Sequence, residues 1–313
     1  MLAACASPSA LPKNAAVVLA HADKFAHADA RVGTYVASDW GFATNSFWIE
    51  GPTGLILIDT QFLLSAANEA VDWAERATGK KVALAIVLHA NPDKFNGTET
   101  LQKRGIRVVT SKQVLDSIPE VHAKRTRAFY TRYAPDYPKD QPRPESFGDR
   151  DTDLSAGGVT VHAHVVGAGC SDAHVVVEWQ KHVFVGDLIG SQTHSWLELA
   201  HLNEWHDRLK EIRSLSPMFV HPGRGPTGRP ELIDAEDSYL QNFEEIVNSE
   251  QIVANEECCL DRAANAPPHH RGPPTAQNIA HMKAALQKHY PDYGYDVFLE
   301  VGLSAVWEAL AKK

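Results

Sequence analysis

The stretch that decides the fold is an apolar strand that ends in polar residues. It reads Val82-Ala83-Leu84-Ala85-Ile86-Val87-Leu88, followed at once by His89-Ala90-Asn91-Pro92-Asp93-Lys94. A continuous apolar run of this length is typical of a strand that is covered on both faces. The ionisable side chains that follow make this strand end a candidate site.

Further strand and helix patterns surround this run in two successive halves. A Gly51-Pro52-Thr53-Gly54 turn between two apolar runs predicts a hairpin. The other predicted strands are 106–110, 159–166, 175–179, 183–187 and 218–220, and the predicted helices are 65–77, 97–104 and 203–214. Two β-rich halves, each followed by helices, predict an α/β architecture with two facing sheets and helices outside.

The same patterns suggest where the chain divides. Residues 1–30 are Ala-rich and are interpreted as a leader or tether, and residues 31–230 as the main domain. Within that domain, residues from about 120 to 153 lack a steady period and are interpreted as an insertion. Residues 231–313 are predicted to form a helical C-terminal extension.

Composition excludes some classes of partner. The 313 residues are 44% hydrophobic and 22% charged, with a formal net charge of -9. A nucleic-acid partner is not expected, because no Lys or Arg run could follow a phosphate backbone. No segment has the roughly twenty uninterrupted apolar residues of a membrane helix.

The N-terminus resembles a bacterial lipoprotein signal. Leu2-Ala3-Ala4-Cys5 is similar to a lipobox, in which the cysteine is acylated, and a Ser-, Pro- and Ala-rich segment follows. Lipidation at Cys5 would anchor the protein in the bacterial cell envelope, facing the periplasm. Without that modification, a cytoplasmic location is the alternative.

Five segments in order resemble the metallo-β-lactamase superfamily, over about residues 40–230. They are Asn45–Ile49 with Leu57–Thr60, the strand into His89 with Phe95-Asn96-Gly97, Gly167–His174, Gly186–Ile189, and Pro222-Gly223-Arg224-Gly225. The resemblance implies a four-layer αββα sandwich. It also implies hydrolysis of an ester, lactone, thioester or amide by two divalent metals that share a bridging carboxylate.

The ligand positions implied by this resemblance are heavily altered. His89, Asn91 and Cys170 stand where the first metal site has three histidines. Asp93, Lys94 and Arg224 stand at the second site, and Asp187 keeps the bridging position. A divalent ion about 4 Å from a fixed cation meets several kcal/mol of repulsion. We therefore expect no second metal, and ion pairs of Asp93 and Asp187 with Lys94 and Arg224 instead.

The first site leaves several interpretations open. His89, Cys170 and Asp187, with Asn91 as a weaker additional ligand, could hold one zinc ion and leave a position open. A metal-free site is the alternative. Cys170 could then be a nucleophile whose pKa is lowered by the nearby cations, or a small apolar filler in a Gly-rich loop.

Two functions follow from these alternatives. In a hydrolase with at most one metal, Asp93 would orient water, and Lys94 and Arg224 would stabilise an oxyanion or bind an anionic small-molecule substrate. A non-catalytic protein on the same fold would use the two cations to capture an anionic ligand. His174, His194 and His221 border the face where substrate is expected to bind. The oligomeric state is not predicted.

Overall fold

A computed structural model of the chain describes residues 20–24, 29–260 and 272–312. Cys5 and the first nineteen residues of the predicted tether lie outside the described residues. In the part that is described, no helix is both long enough and apolar enough to cross a membrane.

The strands form two sheets. The first sheet has the order β1-β2-β3-β4-β5-β6-β7 and the second has the order β12-β11-β10-β9-β8. The strands are β1 His21–Lys24, β2 Val32–Val36, β3 Asn45–Glu50, β4 Leu55–Ile58, β5 Val82–Ile86, β6 Arg107–Thr110, β7 Glu145–Ser146, β8 Thr152–Ala156, β9 Val159–Val166, β10 His174–Trp179, β11 His182–Gly190 and β12 Phe219–Arg224.

The helices lie in the sequence between these strands and after them. They are α1 Leu64–Thr78, α2 Pro92–Phe95, α3 Thr98–Lys103, α4 Lys112–Tyr133, α5 Leu202–Ser214, α6 Glu231–Leu260, α7 Ala276–His289 and α8 Val297–Leu310. The order of elements confirms the predicted α/β class with two sheets and helices, and with helices at the C-terminus.

The first core lies between the two sheets. All four residues of β4 are buried, as are Leu84, Ala85 and Ile86 of β5. They share one apolar cluster with inward-facing residues of the second sheet, such as Val175 and Phe184. β4, β5 and β6 pair in parallel, which explains why their sequences are continuously apolar rather than alternating.

A second core joins the second sheet to the C-terminal helices. Val183 and Val185 of β11 pack in one cluster with Trp205 of α5, Phe243 of α6 and Leu303 of α8. The outward face of this sheet is therefore covered by α5 and by the helical segment that follows residue 230. These helices also reach the candidate site, as described below.

Two expectations from the sequence need correction. The first part of the predicted insertion, which was expected to lack a regular period, belongs to helix α4. Buried Val114, Ile118 and His122 follow one another at four-residue spacing, a helical period that the basic residues and Pro119 obscure. The predicted tether also contains β1, which pairs antiparallel with β2 over His21–Lys24.

Candidate active site

The end of β5 is joined directly to the second sheet. The Leu88 amide donates to Asp59 Oδ1 at 2.9 Å, and the Val175 amide donates to the Leu88 carbonyl at 2.7 Å. The next residue, His89, forms an isolated backbone bridge with His174. The contacts of Leu88 and the His89–His174 bridge place the His89 imidazole at the junction of the two sheets. Burial also raises the pKa of Asp59, which accepts from the Leu88 amide, to about 8.

Four buried charges meet on one side of His89. We call them the ion-pair cluster: Asp93, Lys94, Asp187 and Arg224. Lys94 Nζ lies 2.9 Å from Asp93 Oδ2 and 2.9 Å from Asp187 Oδ1. The Arg224 guanidinium donates to Asp187 Oδ2 and Asp93 Oδ2, each at 2.7 Å. The ion pairs predicted from the sequence are therefore confirmed.

Neighbouring backbone and hydroxyl groups fix the Arg224 side chain. Its Nε donates to the Phe42 carbonyl at 3.1 Å, and Thr44 Oγ1 donates to Asp93 Oδ2 at 3.1 Å. Thr44 and Arg224 also form a backbone bridge between the sheets. Gly223 is required beside them, because a Cβ there would lie 2.0 Å from Asp187 Oδ1. The loop between Pro222 and Gly225 is thus shaped around the Asp187 carboxylate.

All four members of the ion-pair cluster are charged at neutral pH. Burial disfavours the charged form of each. The cations nevertheless hold the pKa of Asp93 and Asp187 below the usual range. The carboxylates in turn raise the pKa of Lys94 and Arg224 despite burial. A protonated Lys94 has no lone pair to donate, so these residues do not fit a second metal ion.

Three lone-pair donors meet on the other side of the His89 ring. We call them the Cys–His cluster: His89, Cys170 and His174. Their ligand atoms all lie within 4.8 Å of one another. Cys170 Sγ is 3.9 Å from His89 Nδ1 and 3.7 Å from His174 Nε2. Ser171 lies against both rings, with its hydroxyl 2.9 Å from His89 Nδ1 and its amide donating to His174 Nε2 at 3.1 Å.

The protein environment keeps the Cys–His cluster uncharged. Burial lowers the pKa of His89 to about 4 and that of His174 well below its usual value. Burial also raises the pKa of the Cys170 thiol well above its usual range. The expectation that nearby cations lower the pKa of Cys170 is therefore wrong, because desolvation outweighs Lys94. A buried neutral thiol is a poor nucleophile.

The structure groups the predicted zinc ligands differently from the sequence interpretation. Cys170 faces Nδ1 of His89, whereas Asp187 Oδ2 lies 3.6 Å from Nε2 of the same ring. Cys170 and Asp187 thus lie on opposite sides of the imidazole. Asn91, the weaker candidate ligand, is the N-cap residue just before α2 and lines a cleft. The third member beside His89 and Cys170 is His174, which had been assigned to substrate binding.

A small, largely aromatic cleft lies over the ion-pair cluster. Its volume is about 50 Å³, and it is lined by Phe42, Phe62, Asn91, Pro92, Asp93, Arg125, Phe129, Trp196, Arg224 and Phe298. Arg224 lies over the Phe298 ring of α8 at 5.3 Å, so the C-terminal segment contributes a wall. Lys94 is fully buried and does not line this cleft. Of the three predicted catalytic residues, Asp93 and Arg224 reach it.

The histidines assigned to substrate binding are all buried. His194 Nδ1 lies 3.1 Å from the Tyr239 hydroxyl, and its Nε2 lies 3.4 Å from Asp296. His221 lies between His182 and Thr227, with a ring nitrogen 2.9 Å from each. Among the described residues, none of these three histidines lines the aromatic cleft.

Several residues near the site were not identified from the sequence. Arg125 of α4 pairs with Glu198 and lies 5.0 Å above the Trp196 ring. Glu236 of α6 accepts from the Gly190 amide at 2.9 Å and from the Ser195 hydroxyl at 2.7 Å. Burial raises the pKa of Glu236 to about 7. No local motif marks these positions, since each depends on how a helix packs on the second sheet.

Comparisons with known proteins agree with this architecture. A family model described as "Metallo-beta-lactamase superfamily" matches residues 39–224. A metallo-beta-lactamase type 2 from Bacillus cereus is 24% identical over 195 residues, which are 59% of this chain and 68% of that protein. Among solved structures, a metallo-beta-lactamase from Pontibacter korlensis aligns with a TM-score of 0.57 and 21% identity, covering 72% of this chain and 100% of that one. The DIM-1 metallo-beta-lactamase aligns with a TM-score of 0.57 and 16% identity, covering 72% and 99%.

Proposed function

Because this chain belongs to the metallo-β-lactamase superfamily, we propose that it is a hydrolase-like protein that works with at most one metal ion. The observation that carries the proposal is the pairing of Lys94 and Arg224 with Asp93 and Asp187. These two fixed positive charges stand at positions that the family resemblance assigns to ligands of a second divalent ion.

Asp93 and Arg224 are the groups available to a molecule in the cleft. A guanidinium has five N–H donors, and the bonds of Arg224 to Phe42, Asp187, Asp93 and Thr44 use four of them. Within the described residues, the second N–H on Nη1 has no assigned acceptor. That donor can polarise a carbonyl oxygen and stabilise the negative charge that develops on it.

The ionised Asp93 carboxylate is suited to orient a water molecule. Its lowered pKa makes it a weak base, so it would position water by accepting a hydrogen bond more than by removing a proton. Lys94 lies behind it at 2.9 Å and acts as a positioning residue that fixes both carboxylates. A zinc ion, if held by His89 and Cys170, would supply Lewis acidity only to a group that reaches it, since neither residue lines the cleft.

The cleft favours a small substrate with an apolar group beside a carbonyl or carboxylate. Phe42, Phe129 and Phe298 form apolar walls, while Arg125 and Arg224 supply positive charge. This combination suits an anionic ester, lactone, thioester or amide, since apolar pockets with a few polar groups bind small molecules in proteins. The substrate class is therefore part of the proposal.

A non-catalytic binding protein is the second candidate function. It is favoured by the burial of Lys94, His89 and His174, each with no exposed surface, which leaves the cleft without an accessible general base of ordinary pKa. In this case the spare Arg224 donor would bind a carboxylate or phosphate without turnover.

A comparison of turnover and binding tests the proposal. We expect the purified full chain to hydrolyse members of an ester and lactone panel, and Arg224→Lys to lower kcat/KM by about 10²- to 10³-fold, as for loss of an oxyanion donor. Arg213→Lys is the matched control, because Arg213 is half-exposed and pairs with Asp234 away from the cleft. Saturable binding of small carboxylates with no turnover would favour the second function. Turnover that is unaffected in Arg224→Lys would contradict the first.

A cell-envelope location with acylation at Cys5 also belongs to the proposal. It is supported by the Leu2-Ala3-Ala4-Cys5 sequence and by the Ser- and Pro-containing segment that follows. Metabolic labelling with a fatty acid in a bacterial host should mark the full chain and not Cys5→Ser. Equal labelling of the two proteins, or none of either, would contradict lipidation at Cys5.

A further inference from the structure

Two histidines lie side by side on the outward face of β9, outside the candidate active site. Val161 and Ala163 of this strand are buried in the core between the sheets, so strand alternation turns His162 and His164 to the opposite face. Their ring centroids are 4.5 Å apart. We propose that these two imidazoles and the Asp151 carboxylate form a surface site for a divalent transition-metal ion, with copper(II) bound most strongly. The site goes beyond the proposed function, since none of these three described residues lines the aromatic cleft.

The register of the second sheet places a carboxylate beside each imidazole. Asp153 of β8 and Glu178 of β10 both pair with His162 across the sheet. Asp153 Oδ1 lies 2.7 Å from Nδ1 of His162, and Glu178 Oε2 lies 3.1 Å from Nε2 of His164. A metal-bound histidine commonly directs its other ring nitrogen toward a carboxylate, which fixes the tautomer and makes the ligand more basic. Both rings have this arrangement.

The remaining nitrogen of each ring is available to an ion. Within the described residues, Nε2 of His162 has no hydrogen-bond partner. Nδ1 of His164 is 3.5 Å from Asp151 Oδ2, longer than an ordinary hydrogen bond. The other Asp151 oxygen accepts from the Val165 amide at 2.8 Å, which holds the carboxylate beside His164.

The three ligand atoms need only a small contraction to meet on one ion. One atom from each of Asp151, His162 and His164 can be chosen so that all lie within 4.8 Å of one another. Ligands bound at about 2.0 Å are at most about 4 Å apart on one ion. Because the His162 side chain is 41% exposed, its ring can rotate toward the other two ligands without disturbing the core.

The local charge also favours a divalent cation. Asp151, Asp153 and Glu178 bring three carboxylates to this face, and in the part of the chain that is described none of them forms an ion pair with Lys or Arg. A divalent ion here would offset negative charge. At the ion-pair cluster it would instead meet two fixed cations.

The donor set decides which metal binds most strongly. Magnesium and calcium take oxygen ligands, whereas imidazole suits copper, nickel and zinc. Affinity for a given nitrogen and oxygen site rises along the first-row divalent ions to copper(II) and falls again at zinc. Three protein ligands on an exposed face leave positions for water, which suits a tetragonal copper(II) ion. Zinc is expected to bind the same ligands more weakly and to exchange with solvent.

Electron paramagnetic resonance of the full-length protein with one equivalent of Cu²⁺ tests the ligand set. We expect a tetragonal spectrum with splitting from two imidazole nitrogens, and from one in His164→Gln. Titration with Cu²⁺ should show at least a tenfold weaker affinity in His164→Gln, because one of three protein ligands is lost. His206→Gln is the matched control. Its ring also lies 2.7 Å from a single carboxylate, that of Asp237, but among the described residues it belongs to no group of metal-ligating side chains.

The carboxylate ligand has its own pair of variants. Asp151→Asn should weaken Cu²⁺ binding, because it removes both an anionic ligand and a negative charge. Asp149→Asn is the control for charge alone, since Asp149 is exposed two residues earlier and pairs with Arg150. Equal affinities in these two variants would contradict a direct role of Asp151.

Four further results would overturn the inference. They are no copper bound at one equivalent, a spectrum without imidazole nitrogens, an affinity unchanged in His164→Gln, and a sulfur-to-copper absorption band that places the ion at Cys170. The wild-type spectrum gives an answer even if a variant fails to fold. Ester turnover should be equal in His164→Gln and the wild type, so the outcome for this site is separate from the outcome for the proposed function.

Discussion

The two sides of the His89 ring differ in the way they satisfy buried polar groups. On the Nε2 side, the ion-pair cluster places four formal charges in contact, and each cation bridges both carboxylates. On the Nδ1 side, the Cys–His cluster has a thiol and imidazoles that burial keeps neutral. The formal charges of the charged side sum to zero without a metal, whereas the neutral side has uncharged donors, two of which contact Ser171. This difference predicts which side can bind a cation.

The largest effect should come from removing one member of the charged side. Asp187→Ala leaves Lys94 and Arg224 buried with a single carboxylate between them. Breaking a buried ion pair costs about 3–5 kcal/mol, because the remaining charge is uncompensated. Urea unfolding should show this decrease in the free energy of unfolding of Asp187→Ala. Asp116→Ala is the control, since Asp116 pairs with Lys112 at the surface and exposed pairs contribute little. A loss below about 1 kcal/mol for Asp187→Ala would contradict a tightly coupled cluster.

Glu236 shows how a buried carboxyl behaves without a cation. Its pKa is raised from 4.5 to about 7 by burial. The folded protein therefore binds more protons than the unfolded chain between those values, and the free energy of unfolding falls as pH rises through that window. The expected decrease is about 3 kcal/mol.

Glu236→Gln should remove the share of this pH dependence that Glu236 carries, because glutamine does not titrate and can still accept from the Gly190 amide and donate to the Ser195 hydroxyl. Urea unfolding between pH 4.5 and pH 7.5 checks the prediction, with the wild type as reference. An identical slope for the two proteins would show that Glu236 does not carry the effect.

Metal ligands in place of the two cations should convert the charged side into a metal site. In Lys94→His combined with Arg224→His, Asp93 and Asp187 lose both counter-ions, and a divalent ion can neutralise them. At zinc concentrations 100-fold above Kd, the folded state would gain about 2.7 kcal/mol, visible as a rise in Tm. Lys94→Met with Arg224→Met is the control, because it removes the cations and adds no ligand. A Tm that responds equally to zinc in the two double variants would contradict the assignment.

The smallest effect should come from the hydroxyl that supports the cluster. Thr44→Val removes the hydrogen bond of 3.1 Å to Asp93 and the weaker one of 3.4 Å from Arg224 while it keeps the shape of the side chain. The expected loss is about 1 kcal/mol, measured by urea unfolding. Thr160→Val, at an exposed position of β9, should change the free energy much less. An unchanged free energy of unfolding in Thr44→Val would show that water or Arg224 satisfies the Asp93 carboxylate in place of the Thr44 hydroxyl.

Much of the fold and the charged side could be predicted from the sequence. The apolar run before His89 and the Gly/Pro turn at residue 51 indicate strands by composition alone. The pairing of Asp93 and Asp187 with Lys94 and Arg224 was predictable, because buried opposite charges near one another have few other ways to be satisfied.

The neutral side was only half predicted from the sequence. His89 and Cys170 were identified, but the place of His174 depends on a backbone bridge between the sheets, which sequence spacing does not reveal. Phe298 and Glu236 reach the site through the packing of helices α8 and α6, so their positions required the tertiary structure. The part of helix α4 from about residue 120 was interpreted as irregular because its buried residues are few among many charged ones.

We propose above that Lys94 and Arg224 take the place of a second metal ion. The most direct test of this proposal is the metal content of the full-length protein, purified without added metal, incubated with excess zinc and then dialysed. Elemental analysis should find no more than one zinc per chain, and Cys170→Ser should reduce that value toward zero. Two equivalents of tightly held zinc, with one of them lost in Asp93→Ala, would contradict the account.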